Sequence, residues 1–84
     1  MKITLKMYAM LGDLLPPGAY ENTVEIDVAE DATLNDVIDR YKVPRELAHL
    51  VLINGNFVCE EDREQPGRFK EGDTLAIWPP VAGG

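Results

Sequence analysis

Residues 75–84, with the sequence LAIWPPVAGG, determine how the rest of this chain can be arranged. In the first four, Leu75 and Ile77 alternate with Ala76 and Trp78, and branched and aromatic residues of this kind favour a strand. Pro79-Pro80 end that strand, because proline has no N–H to donate to a neighbouring strand and its φ is fixed. We therefore expect one folded domain over residues 1–78 and an extended tail over residues 79–84 that builds no core of its own.

The tail finishes with Val81-Ala82-Gly83-Gly84, so its last two residues have no Cβ. Two glycines allow the end of a chain to enter a channel too narrow for any side chain. A carboxylate on Gly84 is a poor electrophile until it is activated, for example as an acyl-adenylate. Terminal glycines are often merely frayed, but the succession of strand, Pro-Pro and Gly-Gly favours a functional tail.

Residues 72–84, GDTLAIWPPVAGG, resemble the ending of the MoaD/ThiS group of ubiquitin-related sulfur carriers, and within it the molybdopterin synthase small subunits. That group usually ends with Gly-Asp, an apolar strand, often Pro-Pro, and Gly-Gly. The resemblance implies a ubiquitin-like β-grasp fold of the α+β class, with a mixed sheet and one main helix packed across one face.

The resemblance also implies a chemistry centred on Gly84. An E1-like enzyme would adenylate the Gly84 carboxylate with ATP, and a sulfur donor would then convert it to a thiocarboxylate. The tail would enter the large subunit of molybdopterin synthase and deliver sulfur in molybdenum or tungsten cofactor synthesis. The residues implied to contact that partner are Trp78, Pro79, Pro80, Val81, Ala82 and Gly83.

The resemblance makes this chain a cosubstrate or small subunit rather than a complete enzyme. It implies no bound cofactor or metal in this chain, and ATP is used by the activating partner. Two alternatives stay open: the same carrier chemistry in thiamin thiazole synthesis or another sulfur-transfer pathway, and a β-grasp module that only binds partners through its surface.

Composition narrows the class of protein. The chain has 84 residues, one cysteine and a net charge of −7. A strongly acidic chain is a poor ligand for nucleic acids and anionic membranes, and a lone cysteine fits a reducing compartment. The N-terminus alternates polar and apolar residues without a signal-peptide block. We therefore expect a cytoplasmic protein that docks on basic partners.

Alternation and helical spacing predict the order strand, strand, helix, strand, short strand, strand. The helix begins at the N-cap Thr33, with Asp36 completing a capping box, and Asn35 is predicted to face water. Asn54-Gly55 predict a two-residue hairpin turn. The last strand is expected to lie parallel to the first. The predicted core consists of Ile3, Leu5, Met7, Val24, Ile26, Leu34, Val37, Ile38, Leu52, Leu75 and Ile77.

Three segments carry further expectations. Residues 11–18 are an apolar turn, whose leucines either tuck into the core or form an exposed surface for a partner. Residues 57–59 are predicted to be a strand that includes Cys59, and residues 60–67 a polar loop. Pro44 is expected to open a single helical turn.

Other chemistry is poorly supported. The chain has no Gly-rich phosphate loop of the Walker type. His49, the only histidine, lies in an apolar segment, and Cys59 is interpreted as a structural thiol rather than a nucleophile. The acidic residues of 60–64 fit no metal-ligand spacing, so a solvated acidic loop is the favoured interpretation.

Overall fold

The computed structural model describes residues 1–80, which form one mixed sheet, one α-helix and three short 3-10 helices. The strands are β1 (Lys2–Met7), β2 (Thr23–Asp27), β3 (Leu50–Ile53), β4 (Asn56–Phe57) and β5 (Thr74–Trp78). The α-helix α1 is Leu34–Arg40, and the 3-10 helices are Ala9–Leu14, Arg45–Leu47 and Glu60–Glu64.

The strand order in the sheet is β2-β1-β5-β3-β4. β1 pairs with β2 in antiparallel fashion and with β5 in parallel, and β3 runs antiparallel to β5 and β4. The last strand is therefore central and lies parallel to the first. This confirms the predicted β-grasp order, with α1 packed on one face of the mixed sheet.

The helix begins where the sequence predicts. The Thr33 hydroxyl accepts a hydrogen bond from the Asp36 amide at 2.9 Å, and the Asp36 carboxylate accepts one from the Thr33 amide at 2.9 Å. This capping box satisfies two amides that the first turn leaves free. Leu34, Val37 and Ile38 are buried in the core. The single turn after Pro44 is also present, as the 3-10 helix Arg45–Leu47.

Most of the predicted core is buried, but two positions were wrong. Leu52 is only half-buried, while its neighbour Val51 is fully buried. The reason is register: Val51 lies opposite the buried Ile77, and Leu52 lies opposite Ala76 on the other face of the sheet. Val24 is half-buried because β2 is an edge strand, although it still packs against the core.

The predicted hairpin turn is confirmed, but the returning strand is shorter than expected. Asn54 and Gly55 both have positive φ, 50° and 83°, as a two-residue turn between twisted strands requires. β4 ends at Phe57, so the prediction that Cys59 lies in a strand was wrong. Cys59 instead precedes the 3-10 helix Glu60–Glu64.

That 3-10 helix corrects two further predictions. Residues 60–67 were expected to be a polar loop, but residues 60–64 form a 3-10 helix. Arg63 in this helix is buried, and its guanidinium hydrogen-bonds three backbone carbonyls, which orders the segment. Asn35 was expected to face water but is buried, because the 3-10 helix Glu60–Glu64 contacts α1. The Asn35 amide donates a hydrogen bond to the Glu64 carboxylate.

The apolar segment at residues 11–18 is divided between its two interpretations. Leu11 is fully buried and Leu15 packs against the core, so part of the segment closes one end of the fold. Met10, just before it, and Leu14 remain exposed. Within residues 1–80, no helix has the length and apolar character needed to cross a bilayer.

Candidate functional site at the root of the tail

The end of β5 is held on both sides. The Tyr8 amide donates to the Ile77 carbonyl, and the His49 amide donates to the Trp78 carbonyl, each at 3.1 Å. Pro79 follows and is buried, whereas Pro80 is exposed. The chain therefore stays bonded to the sheet as far as Trp78 and leaves it through Pro79 and Pro80. We call Trp78, Pro79 and Pro80 the tail root.

An aromatic pair flanks the tail root. The rings of Tyr8 and Trp78 are stacked, with centroids 4.1 Å apart and planes within 4° of parallel. Both residues are half-buried, so the pair presents aromatic surface to solvent beside the point where the tail departs. Trp78 is thus neither fully in the core nor fully exposed.

Apolar side chains continue from this pair across the face of the sheet that α1 does not cover. Leu50 lies opposite Trp78, and Leu52 lies between Ala76 and Phe57. Phe57 is 58% exposed and Leu50 38% exposed. We call Leu50, Leu52, Phe57, Ala76 and Trp78 the apolar strip. The apolar strip includes Trp78 and is therefore continuous with the tail root.

The other half of the same face is charged. Lys2 and Asp27 lie opposite each other on β1 and β2, and their side chains form an ion pair at 3.3 Å. Glu25 is exposed on the same edge strand, opposite Thr4. The uncovered face therefore has a charged half on β2 and β1 and an apolar half on β5, β3 and β4.

The predicted site residues fall into two groups. Trp78, Pro79 and Pro80 form the tail root, whereas Val81, Ala82, Gly83 and the predicted reacting residue Gly84 lie outside the described residues. Sequence reasoning missed Tyr8, Leu50 and Phe57 as parts of the same surface. The signal that could have identified them is register, since it decides which residues of β3 and β4 share a face with Trp78.

The two residues weighed as alternative reacting groups are placed elsewhere. Cys59 is half-buried, and its thiol lies 3.3 Å from an Asp62 carboxylate oxygen. The His49 side chain is exposed, and the residue's role at the site is carried by its backbone amide.

The acidic residues of Glu60–Glu64 lie on one short 3-10 helix. In the part of the chain that the structure describes, no group of three or more histidine, cysteine, aspartate or glutamate side chains is arranged to hold a metal ion.

Comparison with known families gives one match that covers most of the chain. The sequence profile of the ThiS family matches residues 17–84. That span includes the helix, four of the five strands and the whole tail. Among curated proteins, none matches this sequence significantly.

Solved structures give the same fold. SAMP1 from Haloferax volcanii is 28% identical over the full length of both chains, with a TM-score of 0.66. A putative molybdopterin converting factor subunit 1 from Pyrococcus furiosus is 22% identical over 95% of this chain and 98% of its own, with a TM-score of 0.63.

A third similar structure, from Helicobacter pylori, is a complex of subunits 1 and 2 of molybdopterin-converting factor. The matched chain is 19% identical over the full length of both chains, with a TM-score of 0.57. Together, the family match and these β-grasp neighbours show that the chain belongs to the ThiS family, as a ThiS- or MoaD-like sulfur carrier or a ubiquitin-like modifier.

Proposed function

We propose that this protein is a sulfur carrier for molybdopterin synthesis and that the carboxylate of Gly84 is the group that carries the sulfur. The observation that carries the proposal is the ThiS family match, which runs through the Gly-Gly end. The tail root supports it, because β5 is bonded on both sides up to Trp78 and then leads directly into that tail.

The proposed chemistry needs a partner, because an ionised α-carboxylate with a pKa of about 3.5 resists nucleophiles at neutral pH. An E1-like enzyme supplies ATP, and a Gly84 oxygen attacks the α-phosphorus with loss of pyrophosphate. A hydrosulfide ion from the sulfur donor then attacks the carbonyl carbon of the mixed anhydride, AMP leaves, and loss of the S–H proton to solvent gives the thiocarboxylate. This chain contributes the carboxylate, two residues without a Cβ and a fixed root for the tail.

The apolar strip is the proposed docking surface for the activating enzyme and for the synthase large subunit. The strip shares Trp78 with the tail root, so a partner bound there would receive the tail directly. The Helicobacter pylori complex supports a two-subunit assembly by showing that a similar subunit 1 binds a subunit 2. The acidic body, at a net charge of −7, favours partners whose surfaces are basic around that contact.

Tail variants test the activation step. We expect the activating enzyme to catalyse exchange of pyrophosphate into ATP in the presence of the wild-type chain. A chain without Gly84, or with one alanine added after it, should not support the exchange, because one residue displaces the carboxyl carbon by about 3.5 Å. Equal exchange with all three chains would contradict the proposal.

Affinity capture tests the pathway. With a tag at Met1 and the tail left free, we expect an E1-like enzyme and a molybdopterin synthase large subunit among the captured proteins. Capture of a thiazole synthase instead would move the carrier to thiamin synthesis. Capture of neither class, in a preparation whose Gly84 is never modified, would favour the β-grasp binding module.

A second candidate function is protein modification, and the similarity to SAMP1, a small archaeal modifier protein, favours it. In that case a lysine amine, rather than a sulfur nucleophile, would attack the activated Gly84 carbonyl and form an isopeptide bond. Peptide mass spectrometry of proteins joined to this chain would distinguish the two. A branched Gly-Gly remnant on a lysine supports modification, and a free thiocarboxylate supports the carrier.

A further inference from the structure

Arg63, in the 3-10 helix Glu60–Glu64, is a buried cation that the proposed chemistry of Gly84 does not use. It is 4% exposed, and none of the ion pairs within residues 1–80 includes it. Burying a guanidinium is costly unless its N–H groups are hydrogen-bonded. Arg63 meets this requirement with backbone carbonyls alone.

Its three acceptors come from two segments that flank the β3–β4 hairpin. The Nε atom donates to the Val58 carbonyl at 3.1 Å, just after β4. The two Nη atoms donate to the Ala48 carbonyl at 2.8 Å and the His49 carbonyl at 3.4 Å, just before β3. One planar group therefore connects the two ends of the hairpin. The shortest of its three hydrogen bonds, to the Ala48 carbonyl, lies nearest to the tail root in the hydrogen-bond network.

The carbonyl of Ala48 and the amide of His49 belong to the same peptide unit. Its oxygen accepts from Arg63, while its N–H donates to the Trp78 carbonyl at 3.1 Å. A charged donor polarises a peptide unit and strengthens the bond on its far side. The chain of bonds thus runs from the guanidinium through the Ala48–His49 peptide to the Trp78–Pro79 peptide, at the tail root.

We propose that Arg63 is a positioning residue for the reacting tail, acting through the Ala48–His49 peptide to fix the carbonyl of Trp78. The nitrogen of Pro79 carries no hydrogen, so it offers the sheet no further backbone bond. The bond from His49 therefore sets the direction in which the chain leaves β5. The predicted effect of Arg63 on the rate of sulfur loading rests on the proposed function of Gly84, whereas its predicted effect on the Trp78 carbonyl does not.

Amide hydrogen exchange tests the structural consequence. In Arg63→Met we expect the His49 amide to exchange at least about tenfold faster than in the wild type, while amides of β1 and β2 change much less. The matched control is Arg68→Met, which removes the same charge from a partly exposed arginine that contacts Gln65 and Asp62. A uniform increase over all strands would indicate a merely structural role and would contradict the proposal, as would an unchanged His49 amide.

The kinetic consequence is a separate readout. With the activating enzyme, ATP and a sulfur source, we expect Arg63→Met to lower kcat for thiocarboxylate formation by about tenfold with little change in KM, because the apolar strip is intact. Arg63→Lys should recover less than half of the loss, since one ammonium cannot reproduce a planar three-carbonyl contact. A kcat equal to that of Arg68→Met would overturn the proposal.

The role of Arg63 can be tested even if the proposed function fails or the variant does not fold. If the wild type is never loaded with sulfur, the proposed function fails while the exchange result still decides the role of Arg63. If Arg63→Met does not fold, NMR on the wild type decides it. Through-hydrogen-bond couplings from Arg63 to the Ala48 carbonyl and from the His49 amide to the Trp78 carbonyl are expected, and their absence would contradict the proposal.

Discussion

At the scale of single residues, the proposed chemistry uses the Gly84 carboxylate rather than the thiol of Cys59 or the imidazole of His49. Cys59 is half-buried, and its thiol donates a hydrogen bond to the Asp62 carboxylate at 3.3 Å. His49 contributes its backbone to the tail root. We therefore expect Cys59 to be dispensable for sulfur transfer.

We expect Cys59→Ser to accept sulfur at a rate within about twofold of the wild type, because serine keeps the size and hydrogen-bonding capacity of the side chain. Loading with the activating enzyme, ATP and a sulfur source measures this rate, and circular dichroism checks that the variant is folded. A folded Cys59→Ser that cannot be loaded would move the chemistry to the thiol.

Substitutions of two leucines on opposite faces of the sheet should affect the free energy of unfolding and partner binding differently. Leu5 is fully buried and Leu50 is 38% exposed on the apolar strip. We expect Leu5→Ala to lower the free energy of unfolding by about 2–5 kcal/mol. Leu50→Ala should cost clearly less than Leu5→Ala, because 38% of the Leu50 surface stays in water and its removal leaves no enclosed cavity.

Binding reverses the order of these two variants. Leu50→Ala should weaken binding of the activating enzyme, whereas folded Leu5→Ala should bind like the wild type. Denaturant unfolding and titration calorimetry measure the two effects. A Leu50→Ala variant with unchanged affinity would remove the apolar strip from the docking surface.

At the scale of elements, the sequence was most informative where a local rule acts alone. The capping box at Thr33 and Asp36 and the turn at Asn54-Gly55 depend on neighbours within four residues, and both were predicted correctly. Which side chains of β3 face the core depends on the pairing of β3 with β5, which no local pattern contains. Leu52 was therefore predicted to be in the core, where the structure has Val51. The buried Asn35 and Arg63 depend on partners far along the chain, and sequence patterns alone place such polar types outside.

The candidate site divides in the same way. Trp78, Pro79 and Pro80 were predicted from a motif that is continuous in sequence, and the structure places them at the end of β5. Tyr8, Leu50 and Phe57 were missed because three separate strand regions bring them to the same face, and only the register shows it.

An ion pair between elements gives the fold a measurable pH dependence. Arg45 follows α1 and donates to both carboxylate oxygens of Asp39, at 3.1 and 2.7 Å. These hydrogen bonds hold the pKa of Asp39 below its ordinary value of 3.8. Because the folded pKa is the lower one, the stabilisation is fully present above the ordinary pKa and is lost as the pH falls through the folded pKa.

We therefore expect the thermal midpoint of Asp39→Asn to lie slightly below that of the wild type at neutral pH, and the two midpoints to converge as the pH falls below 3.8. The effect is small because both side chains are more than half exposed. Thermal unfolding over a pH series measures it, with Glu30→Gln as the control at an exposed acid that has no ion pair within residues 1–80. A gap that persists unchanged at low pH would contradict this assignment.

At the scale of the whole molecule, the acidic charge should govern how fast partners meet. A net charge of −7 attracts a basic surface over distances longer than the direct contacts. The Debye length falls from about 30 Å at 0.01 M salt to about 8 Å at 0.15 M. We expect the association rate with the activating enzyme to fall at least about tenfold across that range, while the dissociation rate changes little. Stopped-flow measurement over a salt series tests this, and a flat association rate would remove the steering argument.

The central claim is that the Gly84 carboxylate carries sulfur at the end of a tail whose root is held by the sheet. The most direct test is the intact mass of the protein after incubation with the activating enzyme, ATP and a sulfur donor. The account predicts that the wild type exchanges one oxygen for one sulfur, with the change located at Gly84 by fragmentation, and that a chain extended by one alanine does not. A wild type that never gains sulfur, or an extended chain that gains it equally well, would contradict the account.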